Sequence, residues 1–229
     1  MKKKLVVLTG AGMSQESGIR TFRDMGGLWE EYDVTEVATP EAWERNPELV
    51  MKFYNDRRKQ LYESEPNKGH KGLVELEKDF DVQIITQNVD DLHERAGASK
   101  VLHLHGELKK VRSTRYPNLI YDLDGWELKF GDLCEKGHQL RPHIVWFGEM
   151  VPAMDEAVPL VEQADILVVV GTSLNVYPAA GLVHYIREDV PVFVVDPERP
   201  PVYMKGVTFI EEKAGEGVAQ LKDKLKQLI

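Results

Sequence analysis

Cysteine is nearly absent from this chain: Cys134 is the single one among 229 residues, so no disulfide can close within it. That suits a reducing compartment. Long apolar runs are missing too. Met1-Lys2-Lys3-Lys4 leads into an apolar stretch that ends at Thr9-Gly10, too brief for a signal-peptide core or a membrane span. The expectation is a cytoplasmic protein with no membrane partner. An excess of basic residues is also lacking, since 29 Lys and Arg face 38 Asp and Glu for a formal charge of −9. This argues against a dedicated nucleic-acid binder, which needs a basic footprint. No internal repeat, low-complexity tract or Gly/Ser linker breaks the sequence. The 42% hydrophobic content supports a sizeable core, in one large domain or one domain carrying a small insert. A monomer is expected.

Short β-branched runs do occur, at Leu5–Thr9, Val82–Thr86, Ile166–Val170, Val192–Val195 and Val207–Ile210. They alternate with helical patterns at Gly72–Lys78, Asp90–Ala96, Ala179–Arg187 and Gly217–Leu228. Such alternation predicts an α/β fold with a doubly wound parallel sheet. Two stretches break the rhythm, a helical block over 29–65 and an irregular, aromatic and charged block over 107–141. Both read as insertions that build a smaller domain, leaving 1–28, 66–106 and 142–229 for the larger one.

Leu5 to Leu8 read as a central strand covered on both faces, and the strand runs straight into Gly10-Ala11-Gly12. These glycines let the backbone turn tightly and bring N–H groups toward an anion, as in a nucleotide-phosphate cradle. The usual dinucleotide fingerprint also wants glycine at the sixth position, where Gln15 stands. Arg20-Thr21-Phe22-Arg23 follow closely, an aromatic ring and guanidiniums able to close over a nucleotide.

Ligands of such sheets bind beyond the carboxyl ends of the strands, and there this chain is polar. Gln87, Asn88 and Asp90 follow the second strand. Their amide and carboxylate groups can read a carboxamide such as that of nicotinamide, or Asn88 and Asp90 can merely cap the next helix. Val101 to Gly106 alternates so that His103 and His105 share one strand face. His105, at the strand end against Gly106, is the better candidate for taking a proton from a hydroxyl, against a purely hydrogen-bonded role; His103 reads as structural. Gly171-Thr172-Ser173 repeat the strand–glycine–hydroxyl logic, and Asp196 ends a strand where an acid can accept from ribose hydroxyls or begin a turn.

Taken together, Gly10-Ala11-Gly12-Met13-Ser14, Glu16-Ser17-Gly18-Ile19, Thr21-Phe22-Arg23, Thr86 to Asp90, His105-Gly106, Leu140 to Glu149 and Gly171-Thr172-Ser173 resemble the sirtuins, NAD-dependent protein-lysine deacylases, over nearly the whole chain. The resemblance implies a Rossmann-like larger domain. It also implies NAD contacts at Gly10, Ala11, Gly12, Thr21, Phe22, Arg23, Gln87, Gly171, Thr172, Ser173, Asp196 and Ala214, with Asn88 and Asp90 at the nicotinamide end and His105 as general base. Asparagine is more usual at position 196. In the implied reaction, the acyl-lysine carbonyl oxygen attacks the ribose carbon as nicotinamide leaves, and the products are free lysine and O-acyl-ADP-ribose. The partner is then an acylated lysine side chain of a protein, its peptide added as a strand between Phe147-Gly148-Glu149 on one side and a segment around Leu174–Val176 on the other, with Val145 also among the substrate-binding residues.

Tyr54-x-x-Arg57 is similar to the desuccinylase-type branch, the phenol and guanidinium being neighbours on one helix face that can share a carboxylate. Arg58 is expected on the surface. Met25 stands where branch members usually carry alanine, and acetyl removal then competes with succinyl or malonyl removal. Most sirtuins hold a structural zinc on four cysteines, but here Ser113 and Tyr116 stand at the first pair and only Cys134 and His138 follow. Zinc is expected to be absent, with packing by Tyr116, Tyr121, Trp126 and Phe130 stabilising the insert instead. Two other functions share the cradle: a non-catalytic NAD or ADP-ribose sensor, and a mono-ADP-ribosyltransferase or NAD hydrolase. His105 and the peptide-strand motif favour the deacylase.

Overall fold

The computed structural model describes residues 2–19, 32–199 and 206–228. Six parallel strands form the main sheet in the order β3-β2-β1-β7-β8-β9: β1 Lys4–Thr9, β2 Asp81–Thr86, β3 Val101–His103, β7 Ile166–Val170, β8 Val192–Val195 and β9 Thr208–Ile210. The chain leaves β1 for β2 on one side and later returns to β7 on the other, so the strand order reverses between β1 and β7. A crevice opens at such a switch point.

Alternation along the strands divides the core into two layers. Leu5, Val7, Ile84, Val168 and Val170 pack under the helices Lys68–Leu76 and Ala214–Leu225, while Val6, Leu8, Ile85, Leu167 and Val169 pack against the helix Met154–Glu162 and the turn of 3₁₀ helix Ala179–Tyr185. The last of these corrects the expectation of an ordinary helix over 179–187.

Two caps, one local and one remote, fix the helices of the first layer. Asn67 accepts from the Gly69 and His70 amides, and His70 Nδ1 accepts from the Asn67 amide, closing a capping box on Lys68–Leu76. Ala214–Leu225 has no cap of its own. The Glu16 carboxylate serves instead, accepting from the Gly215 amide at 2.7 Å, a charge placed at the positive end of the helix.

The block over 107–141 is more regular than its sequence suggests. β4 Gly106–Ser113 pairs antiparallel with β5 Ile120–Asp122 and β6 Leu140–Ile144. The register breaks between Gly106 and Val111, and this bulge obscures the alternation by which the strand would be read. Gly106 has φ +84, and a Cβ on it would stand 2.0 Å from the His143 carbonyl oxygen. The glycine is therefore required by β6 backbone, and not by a ligand.

The long helix Pro47–Glu63 packs over this small sheet, burying Val50, Phe53, Tyr54 and Leu61 with Leu108, Ile144 and Trp146. A second cluster joins Met51, Val111 and Leu128, with Trp43, Tyr121, Leu123 and Leu140 against it. Of the four aromatics expected to hold the insert, Tyr121 takes part, whereas Tyr116, Trp126 and Phe130 are exposed. Arg58, expected on the surface, is completely buried. Its Nε donates to the Trp126 carbonyl at 2.8 Å, and its other nitrogens donate to the Leu108 carbonyl and to Asn55 Oδ1. Asn55 in turn exchanges two bonds with the Leu128 backbone. Burial pushes the guanidinium pKa down to about 10, so it stays charged and its carbonyl partners stabilise the charge.

Cys134 Sγ donates to Ser113 Oγ at 3.4 Å, and the His138 ring lies edge-on to Tyr116 at 5.4 Å. Among the described residues no three His, Cys, Asp or Glu stand together as metal ligands, so these side chains do not fit a structural zinc. The tie between helix and insert runs through Arg58 and Asn55. Replacing Arg58 with Met strips hydrogen bonds from two buried carbonyls and an amide oxygen. The expected cost is about 3 kcal/mol, a fall of roughly 6–12 °C in Tm by calorimetry. A Tm within about 2 °C of wild type would refute the tie.

Candidate active site

At the carboxyl ends of β1 and β7, two turns meet. Gly10 N–H donates to the Val170 carbonyl and Gly12 N–H to the Gly171 carbonyl, at 3.1 and 2.9 Å. Gly171 has φ +61, and a Cβ there would stand 2.3 Å from the Met13 nitrogen; one on Gly12 would stand 2.8 Å from the Gly171 Cα. These glycines first serve the contact between turns, and the amides of Gly10 and Gly12 are spent on it. The floor of the crevice is thereby fixed.

One cleft of about 880 Å³ lies along this crevice and continues toward the small sheet. Of the residues picked out from the sequence, it is lined by Gly10, Ala11, Gly12, Gln87, Asn88, Asp90, His105, Gly171, Thr172, Ser173, Asp196 and Ala214, together with Tyr54, Arg57, Val145, Phe147, Gly148, Glu149 and Val176. Thr21, Phe22, Arg23 and Met25 lie outside the described residues. Ser14, Trp146, Asn175, Tyr177, Arg199 and Lys213 also line the cleft but were not singled out. Ser14 and Trp146 stand within the quoted motifs, and their neighbours there were the available signal.

Beneath the cleft floor runs a buried polar network. Asn88 Nδ2 donates to the Gly10 carbonyl at 3.0 Å and to Ser14 Oγ at 3.1 Å, and Ser14 donates onward to Asp90 Oδ2 at 2.9 Å. The other oxygen of Asp90 accepts from the Leu92 amide at the start of the helix Leu92–Ala96. Asp90 therefore caps and lines the site at once, whereas Asn88 does not cap. Burial pushes the Asp90 carboxyl up, against the Ser14 hydroxyl and Leu92 amide that donate to it.

His103 and His105 are both held by carbonyls of the loop after β2, with β3 ending at His103. His103 bonds the Asn88 carbonyl through Nδ1 at 2.9 Å and Glu94 through Nε2 at 2.8 Å. Burial lowers its pKa, but Glu94 and the carbonyl outweigh this, and the net shift is upward. His103 is bonded on both nitrogens. Among the described residues, His105 bonds the Gln87 carbonyl alone, through Nδ1 at 3.1 Å. A carbonyl accepts, so Nδ1 carries the proton and Nε2 keeps its lone pair. Burial pushes this ring below the ordinary 6.5 despite the carbonyl. Such a ring is neutral at pH 7 and can act as a base.

Gln87 also donates from Nε2 to Thr172 Oγ1 at 3.0 Å, and that hydroxyl accepts from the Leu174 amide. Leu174 sits in left-handed backbone at φ 53, buried, and turns the chain from Ser173 into Asn175–Tyr177 along the opposite cleft wall. Glu149 lines the cleft, yet its carboxylate is occupied internally by Arg112, Arg141 and the Trp146 amide. Its side chain braces the wall. Tyr54 is buried, which pushes its phenol up to about 12 and keeps it a donor. Arg57, one turn along, lies over the Phe53 ring at 5.5 Å.

His70 and His93 pack edge to face at 4.8 Å under the network, with His70 Nε2 3.5 Å from Ser14 Oγ and His93 Nε2 3.0 Å from Thr9 Oγ1. Burial pushes His70 down to about 4 and His93 well below 6.5, and His143 likewise falls to about 4. Below pH 6.5 the unfolded chain binds protons that these folded rings refuse, so their stabilisation is full above 6.5 and drains as pH falls toward 4. His103 has the opposite sign, its contribution being complete below 6.5 and lost only as pH rises through its raised value. The net expectation is destabilisation on acidification, with about 1–2 kcal/mol from His70 alone near pH 5. Urea midpoints that stay level between about pH 7.5 and 5 would show that the buried rings titrate normally.

A model of the Sir2 family matches residues 10–178. A protein of Bacteroides thetaiotaomicron named NAD-dependent protein deacylase is 56% identical, covering 97% of this chain and 98% of its own length. One of Helicobacter pylori with the same name is 53% identical over 99% of each. Among solved structures, a Sir2 homologue in complex with NAD is 41% identical with a TM-score of 0.88, covering 99% of this chain and 91% of its own. A Sir2 bound to a deacetylated peptide and 3′-O-acetyl-ADP-ribose is 30% identical with a TM-score of 0.84, covering 97% and 94%. The fold is thus shared with these solved structures, and the chain belongs to the Sir2 family, the sirtuins.

Proposed function

We propose that this chain is an NAD-dependent protein-lysine deacylase that removes succinyl and malonyl groups as well as acetyl. The observation that carries the deacylase reading is the state of His105, a neutral ring whose Nδ1–H is held by the Gln87 carbonyl and whose Nε2 is left as the acceptor in the cleft. A sensor of NAD or ADP-ribose has no need of such a base.

Gly171, Thr172, Ser173, Asp196 and Ala214 suit the ADP-ribose part of NAD, and the Asn88–Ser14–Asp90 network suits the nicotinamide carboxamide, which both donates and accepts. When bound, NAD supplies a glycosidic bond whose breakage releases nicotinamide and gives an acceptor for the acyl group. His105 Nε2 takes the proton of a ribose hydroxyl, and the Gln87 carbonyl stabilises the imidazolium through Nδ1. Thr172, bonded to Gln87 and to the Leu174 amide, keeps the two cleft walls at a fixed distance. The acylated peptide lies between Phe147–Gly148 and Asn175–Val176, and the enzyme works without structural zinc.

Tyr54 and Arg57 support the acidic-acyl reading, since both line the cleft as a neutral donor and a cation one helical turn apart. Two experiments test the proposal. His105→Ala is expected to lower kcat by at least about 10²-fold while NAD binding by calorimetry stays within about threefold. In the wild type, the acid limb of the pH profile should lie below 6.5. Near wild-type turnover in the variant would sink the base assignment. Arg57→Met is expected to cut kcat/KM on succinyl- and malonyl-lysine peptides by about ten- to a hundredfold, far beyond its effect on acetyl-lysine. Equal losses on all three would reduce the function to a plain deacetylase.

A further inference from the structure

Trp146 stands between two residues of the peptide-strand motif and belongs to neither of the roles discussed so far. It is almost wholly buried, and its indole Nε1–H donates to the Tyr54 hydroxyl oxygen at 3.1 Å. The indole is held from several sides. The Arg141 guanidinium stacks on it 3.4 Å from the ring centroid, Trp43 packs at 5.9 Å, and its backbone N–H donates to Glu149 Oε2 at 2.8 Å. Glu149 is itself clamped by Arg141 at 2.8 and 3.1 Å and by Arg112 at 3.1 Å. The carboxylate has no freedom to turn, and the indole it braces has little.

A phenol has one hydrogen and two lone pairs, whereas an indole can only donate. The N–H of Trp146 therefore takes a lone pair of Tyr54 and leaves the hydroxyl hydrogen to find an acceptor in another direction. No described residue receives it, and Tyr54 lines the cleft together with Arg57. An oxygen anion can accept from both the phenol and the guanidinium; a methyl group can accept from neither. We propose that Trp146 is a specificity-positioning residue for acidic acyl groups, its indole N–H orienting the Tyr54 hydroxyl to donate, together with Arg57, to the distal carboxylate of a succinyl- or malonyl-lysine. This rests on the acidic-acyl reading above.

Trp146→Phe keeps an aromatic face for Arg141 but removes the donor. Its kcat/KM ratio for succinyl- over acetyl-lysine peptide is expected to fall about 3–10-fold. Tyr54→Phe should lower the ratio at least as far, and the double variant no further than Tyr54→Phe alone, because the indole acts through the phenol. A direct readout accompanies these rates: the chain has four tryptophans, and the indole ¹H–¹⁵N peak missing from Trp146→Phe identifies Trp146. In the wild-type protein that peak should move when succinyl-lysine peptide is added and stay in place with acetyl-lysine peptide; where the variant does not fold, the peak is assigned by through-bond connectivity in the wild type and the same test applies. An unmoved peak, or losses in the double variant that multiply, would overturn the role of Trp146 while leaving the acidic-acyl reading intact. Failure of the wild type to process succinyl-lysine would overturn that reading, and the inference with it.

Discussion

Two turns meet at the crest of the sheet, and they meet backbone to backbone. Gly10 and Gly12 after β1 press against Gly171 after β7 with no room for a Cβ on either side. Everything on the cleft floor takes its position from this contact. The Gly10 carbonyl anchors Asn88, Asn88 and Asp90 together fix Ser14, and Gln87 reaches across to Thr172. Polar side chains that would otherwise be expensive to bury are satisfied in pairs, so the floor is polar and yet preorganised.

The cleft walls follow a different rule, one being held from behind by charge and the other by a hydroxyl. Glu149 and its two arginines brace the Trp146 side, while the opposite wall turns at Leu174, a non-glycine residue kept in left-handed backbone by a bond to Thr172. Strain of this kind persists only where its surroundings over-determine it. Because Thr172 also receives Gln87, whose carbonyl orients His105, one hydroxyl links the peptide wall to the loop that aims the base.

Much of this was legible in the sequence where one local pattern has one physical cause. Continuous apolar runs such as Leu5–Leu8 and Ile166–Val170 mark strands buried on both faces, and polar residues just beyond them mark the crevice. Features that depend on residues far apart in sequence were not legible. Glu16 caps a helix that starts 198 positions later at Ala214, and no local capping signal could point to it. Arg58 has the composition of a surface residue, and only the carbonyls of Trp126 and Leu108 make its burial tolerable. The 107–141 block hid its strands behind a bulge, and Gly106, which makes room for β6, carries no local sign of that distant backbone. The zinc ligands missing from the insert pointed to aromatic packing, but three of the four rings face solvent and the tie is polar.

The central position of β1 bears on how the chain reaches this state. β1 is made first, its neighbour β2 follows about 75 residues later, and its other neighbour β7 only after about 160, so the middle strand of the sheet waits longest for its second partner. Until then one backbone edge of Leu5–Thr9 stays open, the kind of edge that recruits other chains. Loop closure over such separations makes parallel sheets slow to assemble. On a ribosome, the turn-to-turn contact that organises the cleft can form only once β7 and the turn after it have emerged, and Glu16 can cap its helix only later still.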